Sequence, residues 1–155
     1  MRRALLLGLT IIALAFAALS QTKNTSGSKD KSDEQAPPPS ASINPLSIDF
    51  KNQVAKKTSK PQRVTITNTG GKELYINSAV VDGDNKEDFS ITGDTCTGAT
   101  IGVNKSCIID IALTPAATER RIAMLVITDN ATDSPQKVKL IGYGINSSAV
   151  PPGER

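Results

Sequence analysis

From Ile43 to Gly144 the apolar residues of this chain recur at every second position, the spacing of strands that hide one face and wet the other. Leu46, Ile48 and Phe50 alternate with Ser47 and Asp49, and Val64 and Ile66 alternate with Arg63, Thr65 and Thr67. The same inward pattern continues in Leu74, Ile76, Ala79 and Val81, in Phe89 and Ile91, in Ile109, Ile111 and Leu113, in Ala123, Leu125 and Ile127, and in Val138 and Leu140. It predicts about seven short antiparallel strands, the count of an immunoglobulin-like β-sandwich, hence an all-β fold. Turn chemistry separates them. Asn68-Thr-Gly-Gly71 reads as a tight turn with residues at positive φ, Asp82-Gly-Asp84 as another, and Asp129-Asn130 through Ser134-Pro135 as a longer one. No segment after residue 20 has a helical period.

The flanks have a different character. Arg2 and Arg3 precede an apolar run from Ala4 to Leu19, which fits the charged and apolar regions of a secretory signal and is short for a membrane span of roughly 20 residues. Ala18-Leu-Ser20 is the expected cleavage site, giving a mature chain from Gln21, with Ala15-Phe-Ala17 as the second choice. An uncleaved segment is the one route to the membrane, since no cysteine follows to take a lipid. Residues 21–45 are polar and end near Pro37-Pro-Pro39, a composition with nothing to bury, and read as a disordered linker. The expected organisation is therefore signal 1–20, linker 21–45, one domain at 46–144, and a flexible tail at 145–155.

Export changes how the two cysteines are read. In an oxidising compartment Cys96 and Cys107 favour a structural disulfide over free thiols. With no histidine in 155 residues, no Ser/His/Asp or Cys/His set can form, C-x-x-C spacing is absent, and no phosphate loop is present. Neither an enzyme nor a cofactor is expected. Asp82, Asp84, Glu87 and Asp88 cluster in one loop and are the only candidates for a calcium site, but Lys86 and Gly83 break the ligand pattern, so a solvated turn is the preferred reading and no metal is expected. The net charge of +3 is dispersed, densest at Lys56, Lys57, Lys60 and Arg63, with Glu119, Arg120 and Arg121 forming a mixed turn. At 3% aromatic content the chain lacks the stacking surface of a nucleic-acid binder, and no nucleic-acid partner is expected.

Motif order narrows the class. Phe50-Lys-Asn-Gln53, Val64-Thr-Ile-Thr-Asn-Thr-Gly70, Leu74-Tyr-Ile76, Gly83-Asp-Asn85, Asp88-Phe-Ser-Ile91, Cys96, Ser106-Cys107, Leu113-Thr-Pro115, Leu125-Val-Ile-Thr-Asp129 and Leu140-Ile-Gly-Tyr-Gly144 together resemble the abnormal-spindle and hydin type (ASH) domain, whose bacterial form is called choice-of-anchor D. The resemblance implies an immunoglobulin-like module akin to major sperm protein and pilus-chaperone sandwiches, with a binding or spacer role and no catalytic residues. Leu113 stands where that family commonly has phenylalanine, and one copy stands where bacterial relatives often have repeats.

Alternation also exposes an anomaly. If Ala123, Leu125 and Ile127 face inward, then Ile122, Met124 and Val126 face outward, where Ser or Thr is usual, and Ile108 and Ile141 break the pattern in the same way. Were their strands neighbours, these five residues would form an apolar contact face for an unidentified protein partner. The alternative is a wall-polysaccharide domain using polar loops and Tyr75 or Tyr143. The expected role is a non-catalytic interaction or spacer module of the cell envelope, exported to the periplasm, cell surface or medium. Asn104-Lys-Ser106, Asn130-Ala-Thr132 and Asn146-Ser-Ser148 match the glycosylation sequon, but the style of the domain is bacterial and no glycans are expected.

Overall fold

The structure, a computed structural model, describes residues 36–149. The expected signal segment, the linker up to residue 35 and residues 150–155 of the tail lie outside the described residues. Among the described residues there are nine strands: β1 (Ala41–Asn44), β2 (Ser47–Val54), β3 (Gln62–Asn68), β4 (Leu74–Asp82), β5 (Phe89–Asp94), β6 (Thr100–Ile101), β7 (Ser106–Leu113), β8 (Arg120–Asp129) and β9 (Gln136–Ile145). They form a four-stranded sheet, β1-β3-β7-β5, and a five-stranded sheet, β2-β9-β8-β4-β6. The all-β sandwich is as expected, with two corrections. The count is nine rather than about seven, and β2 runs parallel to β9 while the other pairs are antiparallel. No hairpin has to join two strands that lie near opposite ends of the domain, so parallel pairing is open to them.

Both unexpected strands are too short to show a period. β1 carries one large apolar residue, Ile43, which pairs with Ile66 of β3, and β6 has two residues that pair with Leu74 and Tyr75 of β4. The ordered domain therefore begins inside the segment read as linker. Pro37 accepts a hydrogen bond from the Gly71 N–H at 3.1 Å and Ser40 one from the Thr69 N–H at 2.8 Å. This contact also corrects the reading of Asn68-Thr-Gly-Gly71. The glycines at positive φ are Gly83 and Gly98. Gly70 and Gly71 are needed for space, since a Cβ at Gly70 would lie 2.7 Å from the Pro39 Cα and one at Gly71 would lie 2.5 Å from the Pro37 Cδ.

The inner faces of the two sheets meet in one core. Val64, Ile66, Ile109, Ile111 and Leu113 come from one sheet and Leu74, Ile76, Leu125, Ile127, Val138 and Leu140 from the other, all fully buried. Phe50 and Phe89 meet across it with ring centroids 5.8 Å apart and planes tilted by 56°. At Gly142 a Cβ would collide with the Leu113 side chain and come within 3.3 Å of Phe50. The absent side chain is what admits Leu113.

The disulfide joins Cys96 to Cys107, with Cα atoms 5.2 Å apart and both residues buried. It closes a specific crossing. β5 and β7 are neighbours in the four-stranded sheet, yet the segment between them leaves to place β6 on the five-stranded one and then returns. The bond ties the two feet of that excursion. Asp94 caps its start, its Oδ1 accepting the Cys96 N–H at 2.7 Å and the Thr97 N–H at 3.0 Å, and its Oδ2 the Thr97 hydroxyl at 2.6 Å. Burial works to raise the Asp94 pKa, but these bonds outweigh it and hold the carboxyl below its ordinary range. Asn68, fully buried, secures the far side by donating to the carbonyls of Lys72 and Ile101 and accepting the Gly70 N–H.

Two stability measurements check this packing. Replacing both cysteines by alanine is expected to cost about 3 kcal/mol in urea unfolding, the loop-closure value for a loop of this size. Gly142→Ala is expected to cost roughly 1–3 kcal/mol through overpacking, and Leu113→Val in the same chain to recover part of that loss rather than add to it.

Candidate functional site

Pairing in the five-stranded sheet places its outward side chains in rows. Reading from β9 to β8 to β4, the rows are Lys137, Val126 and Val80, then Lys139, Met124 and Asp82. Ile141 and Ile122 form the next row, and Tyr143 and Arg120 the last. Met124, Val126, Ile122 and Ile141 are half-buried by their neighbours, while Val80 is 51% and Tyr143 42% exposed. The rim is polar, with Lys137, Lys139, Asp82 and Asp49 exposed around this strip.

Four of the five residues read from sequence as a contact face thus share one surface. Ile108 does not. It lies on β7, in the other sheet, where its neighbours are polar: Thr65 opposite, the Thr95 hydroxyl accepting its N–H at 2.9 Å, and the Arg63–Asp110 ion pair two residues farther along the same face. About 10 Å of core separates the two sheets, so Ile108 cannot join the others. Val80 and Tyr143 take its place. The inward reading of Ala79 and Val81 already turned Val80 outward, but its place beside Val126 depended on the register of β4 with β8, which a bulge between Ile76 and Ser78 shifts.

Other candidates disperse. Asp88 turns inward and is buried, pairing with Arg121 at 3.2 Å and accepting the Ala116 N–H at 3.2 Å. It is therefore not available to a calcium loop with Asp82 and Asp84, and among the described residues no group of three or more Asp, Glu, Cys or His is placed to hold a metal ion. Arg121 leaves the surface turn with Glu119 and Arg120 for the same reason. Lys56, Lys57 and Lys60 remain exposed between β2 and β3, but Arg63 is engaged with Asp110 by two hydrogen bonds of 2.8 and 2.9 Å, which holds the Asp110 carboxyl below its usual range. Tyr75 and Tyr143 flank opposite ends of β8, roughly 30 Å apart at the rise of a strand, so they cannot share one sugar. Among the described residues no helix is long and apolar enough to cross a membrane.

The model of the HYDIN/CFA65/VesB-like Ig-like domain matches residues 39–144. The chain belongs to that family. Its start at residue 39 agrees with the ordered contacts of Pro37 and Ser40. Among solved structures, this Ig-like domain is similar to a protein of unknown function from Porphyromonas gingivalis W83 at 15% identity and TM-score 0.56, over 68% of this chain and 46% of that one. It is also similar to an ASH/PapD-like domain of human CEP192, at 13% identity and TM-score 0.51, over 69% and 86%. The secreted serine protease VesC of Vibrio cholerae matches at 18% identity and TM-score 0.52, over 72% of this chain and 24% of VesC. These likenesses are of fold. The chain spans less than half of the first of these relatives and about a quarter of VesC. No curated protein sequence matches it.

One buried carboxylate beyond the face has a measurable signature. Asp129, 6% exposed at the end of β8, accepts the Ala131 N–H at 2.8 Å through Oδ1, while its Oδ2 is buried without a partner. Burial raises its pKa, opposed by the bond from the Ala131 N–H and the nearby Ser134 hydroxyl and helped by the Asp133 charge. A raised folded pKa means that the group's contribution to stability is complete below its unfolded value of about 3.9 and is lost as pH rises through the folded value. Asp129→Asn keeps the Oδ1 acceptor and removes the charge. The variant is expected to exceed the parent in urea midpoint at pH 7 and to match it near pH 3.

Proposed function

We propose that this chain is an exported, non-catalytic protein-interaction or spacer module of the cell envelope that meets its partner through the outer face of the five-stranded sheet. The observation that carries the proposal is the contrast between the two outer faces. On the four-stranded sheet the outward residues satisfy one another, Arg63 with Asp110 and Thr67 with Ser106, leaving Ile108 isolated. On the five-stranded sheet Ile141, Ile122, Met124, Val126 and Val80 form a connected apolar strip rimmed by lysine and aspartate, an arrangement typical of contact surfaces with a dry centre and a polar rim.

Export is supported by three features of different kinds. The charged and apolar N-terminus fits a secretory signal, both cysteines are joined in a disulfide, and VesC, which shares the fold, is a secreted protein. The non-catalytic reading is supported by the absence of histidine and by strands whose buried charged groups are engaged in packing. The polar residues that lead into the domain suit a tether that lets the face reach a partner.

The test immobilises the domain and challenges it with envelope extract and with insoluble wall polysaccharide. Protein capture is expected, and Met124→Ser with Val126→Ser is expected to weaken it roughly thirtyfold, at about 1 kcal/mol for each truncated contact. Retention on polysaccharide with no protein captured would overturn the proposal, and so would capture that the double substitution leaves unchanged.

A further inference from the structure

Burial along the inward side of β4 ends where β6 ends. Leu74 and Ile76 are 0% exposed, yet Ala79 and Val81, which face the same core opposite Ile127 and Leu125, are only half-buried. The difference lies in what covers the rim. β6 pairs with Leu74 and Tyr75, and the Ala99 carbonyl and Gly98 N–H continue that pairing to Ile76. From Asn77 to Asp82 this edge of β4 meets no other strand among the described residues, because the chain turns off toward Cys96. On the opposite sheet the edge strand β5 leaves Ile91 half-buried beside the same opening. A seam lined by Ala79, Val81 and Ile91 therefore runs beside a row of unpaired backbone groups.

The other sheet edges are short or interrupted within the stretch that could pair, whereas the half of β4 beyond Asn77 is continuous. β1 has four residues and β6 two, β2 is interrupted by a bulge at Lys51 with φ of 58°, and β5 by a bulge between Ile91 and Gly93. Free β edges are usually guarded by lysine, proline, bulges or shortness, since they template pairing with another chain. Past its own bulge at Asn77, the free half of β4 reads Ser78-Ala-Val-Val-Asp82, extended and without lysine or proline.

We propose that this half of β4 is a docking edge for an extended segment of a partner protein, which would lie in line with β6 as an added strand. Main-chain hydrogen bonds would hold it, and apolar residues at alternate positions would cover Ala79, Val81 and Ile91. Charge selects its ends. Asp82, Asp84 and Glu87 are exposed at one end of the edge with Lys86 as the sole cation among them, so a basic residue opposite Asp82 is favoured. A second copy of this chain would bring the same acidic residues and leave that charge uncompensated. The proposal goes beyond the outer-face reading, since it uses the rim of the sheet, and it stands or falls separately.

The test titrates the labelled domain with an octapeptide that alternates valine and threonine and carries lysine at both ends, and with its glutamate-ended counterpart, following backbone amide resonances. Shifts confined to residues 77–82 and their β5 neighbours are expected, with the lysine peptide binding about three- to fivefold tighter, the range of an exposed ion pair. Asp82→Lys, an exposed substitution that leaves the core intact, should invert that order. Ala79→Arg should weaken both peptides about tenfold by filling the seam. Met124→Ser should leave peptide binding unchanged, which separates this site from the outer face. The proposal is overturned by an absence of shifts at millimolar peptide, by shifts on the outer face that Met124→Ser abolishes, or by sedimentation showing that the edge is already occupied in a dimer.

Discussion

Around Ile66, Ile109 and Ile111 on one side and Ile76, Leu125 and Leu140 on the other, water is excluded from two sheets at once, and neither sheet could shield those residues by itself. Each fully buried aliphatic side chain contributes about 1.5–3 kcal/mol, so the facing of the layers dominates the energetics of the domain. It also fixes which residues have to be small. Gly142 yields its space to Leu113, and the close passage of Pro37 to Ser40 requires Gly70 and Gly71. Residues that look like turn formers in sequence are thus consequences of packing.

Crossing between the layers is the second demand of the sandwich. The excursion that carries β6 leaves one sheet, caps part of the other and comes back, and a short segment of that kind has little core of its own. The Cys96–Cys107 bond, the Asp94 cap and the fully satisfied Asn68 amide replace the missing hydrophobic anchorage with covalent and polar ties. The brevity of β6 has a cost on the neighbouring strand, because Ala79 and Val81 are left partly uncovered. The same compromise that secures the crossing therefore leaves an unfinished edge beside it.

The two outer surfaces diverge for a related reason. On the four-stranded sheet, cross-strand pairs such as Arg63 with Asp110 and Thr67 with Ser106 satisfy polar groups locally. The centre of the five-stranded sheet instead carries Ile122, Met124 and Ile141, with charges displaced to its rim. A strand flanked on both sides tolerates apolar residues on its wet face because neighbouring side chains shield them. Membership of the HYDIN/CFA65/VesB-like Ig-like domain family accounts for the sandwich.

Much of this was legible in the linear pattern. Period-two alternation alone identified the inward residues of seven of the nine strands, because alternation is a local property of extended backbone, and it failed at Leu46, which lies just before β2 and is 66% exposed. The expectation of an oxidising compartment was enough to pair the two cysteines. Strands β1 and β6 were not legible, being too short for any period, and neither was the parallel partnership of β2 with β9, which depends on how distant segments meet. The inward turn of Asp88 toward Arg121 and the separation of Ile108 from Ile122, Met124, Val126 and Ile141 were likewise decided by tertiary structure. Sequence determines which side of its own strand a residue occupies; only the assembled sheets decide which strands stand side by side, since that follows from long-range burial and hydrogen bonding rather than from local period.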